Sequence, residues 1–162
     1  MGGGVFYEEF EIYLKGLNNQ YTCMDIEEAP LTQARKIADY VDFKCLDIHD
    51  YPKNELGKHD VFLMVQTYVC VQNIDKVIKR YFKQNPNGKI IMINTIVPEY
   101  LTCLSNIFRD VIVKGWVGVN WGKALTLNYM IEMSKRMKRH LTYNIIGQSP
   151  LSGHDEYIII LE

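Results

Sequence analysis

The chain has 162 residues, 48% of them apolar and 23% charged, enough for one domain with its own core and too few for two ordinary ones. A net charge of -1 gives no positive field to hold a phosphate backbone, and the basic cluster Lys135, Arg136, Lys138, Arg139 is short, so no nucleic acid partner is expected. No stretch approaches the roughly 18 apolar residues of a membrane span and no basic leader opens the chain, which predicts a cytoplasmic protein with no membrane partner.

Phe6, Phe10, Tyr13, Leu14 and Leu17 recur at helical spacing, with Glu8, Glu9 and Glu11 in the first turns and Gly16, Asn18 and Asn19 closing the segment. Tyr21 to Asp25 reads as a short buried strand, and 26–30 as the turn into a helix from Leu31 to Tyr40. Val41 to Leu46 is a second strand ending on Asp47, before the breaker Tyr51-Pro52-Lys53-Asn54. Val61 to Val65 is a continuous apolar strand. Ile74, Val77, Ile78, Tyr81 and Phe82 then mark one face of an amphipathic helix that Asn85-Pro86-Asn87-Gly88 stops, and Lys89 to Asn94 is a further apolar strand. This alternation implies βαβ crossovers and a Rossmann-like, mostly parallel α/β sheet flanked by helices.

After Pro98 the pattern changes. An insertion at about 98–122 holds a predicted helix from Tyr100 to Val113 and the stretch Gly115-Trp116-Val117-Gly118-Val119-Asn120-Trp121-Gly122. A helix capped by Thr126 runs to about His140, and strands at Leu141 to Ile146 and Tyr157 to Leu161 form a closing antiparallel hairpin. Cys23, Cys45, Cys70 and Cys103 lack metal-ligand spacing and sit in apolar runs, so buried free thiols and no metal are expected.

Ligands of α/β sheets bind at the carboxyl ends of strands, which gives weight to polar residues there. Asp25 ends the first such strand, where a carboxylate can accept both ribose hydroxyls of a nucleotide or cap the following helix. Asp47, 22 residues on, can accept from an exocyclic amine such as adenine N6, or form a turn. Gly2 to Gly4 either let backbone N–H groups approach a ligand carboxylate or form a frayed terminus.

In these strand ends, the P-x-G turn and the closing hairpin, the chain from Tyr21 onward resembles the class I S-adenosylmethionine-dependent methyltransferase family. The resemblance implies S-adenosylmethionine as cofactor, held by Asp25 and Ile26 at the ribose, Asp47 and Ile48 at the adenine, and Gln66 at the methionine moiety, with Gly2 and Gly4 in the glycine-rich first motif. It implies methyl transfer to a small-molecule acceptor by in-line displacement, in which the site works by positioning and no catalytic side chain is singled out. Thr67, Tyr68, Trp116 and Trp121 are the candidate acceptor contacts. The tryptophans serve equally as loop packing, and His49, His59 and His154 as solvated loop residues or general bases.

The family's first strand has no counterpart ahead of Gly2, and Phe6 stands at the motif's last glycine. Such a gap buries backbone groups without partners at about 1–3 kcal/mol each, which predicts a homo-oligomer or a missing upstream segment. Two other classes stay open, a non-catalytic module that kept the fold and a nicotinamide-binding dinucleotide fold. The latter explains neither Asp47 nor the closing hairpin.

Overall fold

The structure, a computed structural model, describes residues 19–65, 71, 73–96, 126–148 and 153–162. The predicted helices at 6–17 and 100–113, the insertion at 98–122, the glycines at 2–4, and the first-strand gap placed before Tyr21 lie outside the described residues. The chain divides between Leu56 and Gly57 into two compact units.

In the first unit, β1 (Tyr21–Asp25) and β2 (Val41–Cys45) pair in parallel, with Tyr21 opposite Val41 and Asp25 opposite Cys45. The crossover between them is α1 (Glu28–Ile37). It begins three residues earlier than the sequence predicts and takes in Pro30. A proline is harmless there, because first-turn N–H groups have no intrahelical acceptor to lose. It also ends earlier: Ala38 N–H donates to Ala34 O at 3.0 Å and Val41 N–H to Ala38 O at 3.2 Å, so Tyr40 belongs to the turn into β2. Leu31, Ala34 and Ala38 form the buried stripe, and Cys23, Leu31, Ala38 and Val41 make a small core flanked by Tyr21, Tyr40 and Phe43.

The second unit holds β3 (Val61–Val65), α2 (Ile74–Gln84), β4 (Lys89–Thr95), α3 (Leu127–Met137), β5 (Leu141–Gln148) and β6 (Asp155–Leu161), with the sheet order β3-β4-β6-β5. The β3–β4 pair is parallel and the other two are antiparallel, as alternation followed by a closing hairpin predicts. All five residues of the predicted apolar stripe on α2 are buried. They join Phe62, Met64, Ile90, Met92, Met130, Met133, Ile159 and Leu161 in the core, each contributing about 1.5–3 kcal/mol through loss of apolar contact with water.

The N-P-N-G turn between α2 and β4 is braced from several sides. Gly88 N–H donates to Asn85 O at 3.1 Å, Asn85 Nδ2 to His59 O at 3.0 Å, and Arg139 Nη1 to Pro86 O at 2.6 Å. The buried Tyr81 hydroxyl faces the carbonyls of His59, Asp60 and Lys89 at 2.9, 2.8 and 3.2 Å. Gly88 is required for this contact, since a Cβ on it would lie 2.3 Å from Tyr81 Oη.

Thr126 caps α3 as predicted, its Oγ1 accepting from Tyr129 N–H at 3.2 Å. Tyr129 Oη reaches Asp75 Oδ2 at 2.5 Å and ties α3 to α2. The basic run is used within the fold: Lys135 pairs with Glu132, Arg136 lies over the Tyr129 ring, and Arg139 sits 4.1 Å from the Phe82 ring centroid. Among the described residues β5 is the outer strand. It is exposed along nearly its whole length, and its register with β6 slips between Ile145 and Gly147.

Candidate functional site

Of the predicted site residues, the structure describes four, and it brings them together at the carboxyl ends of β1 and β2. Within β1 only Cys23 is buried, and exposure rises as the strand ends, reaching 71% at Ile26. Leu46 N–H donates to Asp25 O at 2.9 Å, so the parallel ladder runs one step past the Asp25–Cys45 pair and releases the chain at Asp47. Parallel pairing thereby sets one aspartate and one isoleucine at the end of each of two adjacent strands.

Both aspartates are oriented by the same local device. Asp25 Oδ1 accepts from Glu27 N–H at 2.9 Å, and Asp47 Oδ1 accepts from His49 N–H at 2.8 Å. Each bond spans two residues, the geometry by which an aspartate side chain makes a turn. The turn-forming reading is therefore realised at both positions. An ionised carboxylate has about four lone-pair directions, so one backbone bond fixes its orientation and leaves capacity for a ligand. The turn after Asp47 is held further by Asp50 N–H to Asp47 O at 2.9 Å and Tyr51 N–H to Ile48 O at 3.4 Å, and Tyr51 is buried.

The rim of the site is polar. Arg35 donates to the Glu28 carboxylate and, at 3.3 Å, to Phe43 O, and its bond to Glu28 holds that carboxyl below the usual range. Cys45 corrects the expectation of buried thiols. It is exposed, its Sγ donating to Ile26 O at 3.6 Å, and partial desolvation followed by the Glu28 carboxylate pushes its pKa up. Cys23 is buried as expected, and burial raises its thiol too. Gly2, Gly4, Gln66, Thr67, Tyr68, Trp116 and Trp121, like Cys70 and Cys103, lie outside the described residues.

Sequence reasoning passed over Asn94. It ends the apolar strand from Lys89 that the sequence predicts, yet its side chain is fully buried, and among the described residues neither its Nδ2 nor its Oδ1 has a hydrogen-bond partner. The available signal was a carboxamide closing the apolar run Ile90-Ile91-Met92-Ile93.

Among the described residues, no helix is long and apolar enough to cross a membrane, and no group of three or more His, Cys, Asp or Glu could hold a metal ion. No protein-family model matches the chain, and neither does any curated protein. Solved structures do. The methyltransferase domain of the citrinin polyketide synthase is similar at a TM-score of 0.64 and 16% identity, over 94% of this chain and 42% of that one. The plantazolicin methyltransferase BpumL, solved with a desmethylplantazolicin analogue and S-adenosylhomocysteine, is similar at 0.63 and 16% identity, over 99% of this chain and 72% of that one. The 1,6-didemethyltoxoflavin-N1-methyltransferase of Burkholderia thailandensis, with its substrate and S-adenosylhomocysteine bound, is similar at 0.61 and 12% identity, over 99% and 66%. The chain thus spans less than half the length of the first of these and about two thirds of the others. Its fold is that of the class I S-adenosylmethionine-dependent methyltransferases, one in which the demethylated donor is found bound.

Proposed function

We propose that this chain carries the donor-binding core of an S-adenosylmethionine-dependent methyltransferase acting on a small molecule. The observation that carries the reading is the pair of oriented aspartates at the ends of adjacent parallel strands, Asp25 beside the exposed Ile26 and Asp47 beside Ile48. Such a pair suits a nucleoside. Asp25 would accept both ribose hydroxyls, Asp47 the adenine amine, and the two isoleucines would offer apolar surface to the purine. Fixed by their turns, the carboxylates lose little side-chain freedom when a ligand arrives, which favours affinity.

The donor, when bound, supplies an electrophilic methyl group. The chain's own contribution is to hold and align, which is how positioning accelerates an in-line displacement. Gln66 would face the methionine end, Gly2 and Gly4 its carboxylate, and Thr67, Tyr68, Trp116 and Trp121 the acceptor. These roles follow from the family resemblance, and the small-molecule acceptors of the plantazolicin and toxoflavin enzymes support the acceptor class.

Isothermal calorimetry with S-adenosylmethionine, S-adenosylhomocysteine and a nicotinamide dinucleotide tests the reading. Binding of the first two and not the third is expected. Absence of S-adenosylmethionine binding would leave a non-catalytic module that kept the fold, and dinucleotide binding would reassign Asp25 to another cofactor.

A further inference from the structure

Strand β4 alternates in environment, and Ile90 and Met92, both fully buried, share a face with Asn94. Across the antiparallel pair, Ile90 stands opposite Leu161, Met92 opposite Ile159 and Asn94 opposite Tyr157. On the other side Phe62 pairs with Ile90, and Met64 with Met92. A carboxamide therefore ends an otherwise apolar row. The structure has three buried polar side chains among its described residues, and two have partners: Thr126 Oγ1 accepts from Tyr129 N–H, and Ser134 Oγ donates to Ile131 O at 2.8 Å. Asn94 has a donor and an acceptor that are both unmet. An unmet buried donor or acceptor destabilises the fold, a cost which an aliphatic residue of similar size would not incur.

The position of this cost carries information. Asn94 lies at the carboxyl end of β4, one residue beyond the last β3–β4 pair, Val65 with Ile93. Ligands of parallel α/β sheets gather at that end, and a buried polar group left unmet calls for an explanation, of which a functional role is one.

We propose that Asn94 is a binding residue for the methyl acceptor, and that its partner is a neutral lactam or carboxamide edge; the acceptor role rests on the methyltransferase reading above. One such edge places an N–H beside a C=O, so it meets Oδ1 and Nδ2 together in a paired hydrogen bond. A carboxylate supplies no donor and an ammonium no acceptor, and either charge is costly beside Met92 and Ile159. Because the amide is covered, occupancy is read at equilibrium.

The test uses 2-pyridone, whose N–H adjoins its C=O, with N-methyl-2-pyridone and benzoate as controls. Each is titrated into the chain with nitrogen-15 asparagine side chains, with and without saturating S-adenosylhomocysteine. The Asn94 amide resonance, assigned by its loss in Asn94→Leu, is expected to shift with 2-pyridone and with neither control. Asn94→Leu is expected to raise the Tm of the unliganded chain by about 3 °C and to weaken 2-pyridone binding about tenfold. A fall in Tm, an equal response to the controls, or no response to 2-pyridone would overturn the proposal. S-adenosylhomocysteine binding is measured in the same samples, so its failure removes the methyltransferase reading while the 2-pyridone response still judges Asn94.

Discussion

The two units use polar side chains in opposite ways. In the first, Asp25 and Asp47 bond to backbone only two residues away, at strand ends where exposure is rising, above a core as small as Cys23, Leu31, Ala38 and Val41. In the second, polar groups gather distant segments. The Tyr81 hydroxyl meets carbonyls at 59, 60 and 89, Asn85 reaches back to His59, and Tyr129 ties α3 to Asp75 on α2. A polar group bonded to its own turn is oriented and still able to take a ligand. One that spans the fold is committed to stability, and sequence separation within the bond distinguishes the two uses.

The largest effect expected from breaking this contrast falls on the second unit. Gly88→Ala puts a methyl group 2.3 Å from Tyr81 Oη and 2.7 Å from its Cζ, and the fixed ring has no room to move. A loss of about 3 kcal/mol in unfolding free energy is expected from overpacking at a braced site, measured by urea denaturation. A loss under about 1 kcal/mol would show that the ring yields.

Next in size is the reverse experiment in the first unit. Asp25→Ala and Asp47→Ala should each weaken S-adenosylmethionine binding about 10- to 100-fold, the value of one charge-assisted hydrogen-bonding group. Calorimetry reads the affinity, and the same urea measurement should register a change of no more than about 1 kcal/mol. If either variant unfolds the chain instead, local bonding does not mark ligand capacity.

The smallest effect is a pH dependence confined to the second unit. Burial first, opposed by the hydrogen bond with Lys89, pushes the Tyr81 phenol from its ordinary value of 10 up to about 12. The folded state therefore favours the protonated phenol more than the unfolded chain does. That contribution is complete below pH 10 and is lost as pH rises towards 12. Stability should be flat with respect to Tyr81 up to pH 9 and fall between 10 and 12, and Tyr81→Phe should flatten that fall.

Much of this arrangement was legible in the sequence because periodicity and strand ends are local signals. The stripe from Ile74 to Phe82 needed only 3.6-residue spacing, and Asp25 and Asp47 stood out because each closes an apolar run. The start of α1 was misplaced because Pro30 reads as a helix boundary, although the first turn accepts it as readily as the preceding loop does. Cys45 was expected inside because it sits within an apolar run, but it lies at the strand terminus where the pair opens towards solvent. β5 runs on to Gln148 through Gly147, a residue that punctuates strands in sequence and serves here within an irregular pairing. Asn94 was hidden because the sequence shows its neighbours and not its partners, and its significance is that its side chain has none among the described residues.

The slipped register of β5 matters when many copies of the chain are concentrated together. Tyr143, Ile145 and Ile146 lie exposed on the strand that is outermost among the described residues, the kind of surface on which a strand from another molecule can begin a growing stack. Two residues of β5, Ile145 and Ile146, stand where β6 advances by one step from Tyr157 to Glu156. An extra residue of this kind bends a strand and increases its local twist, one of the ways in which an exposed strand is made a poorer template for another chain.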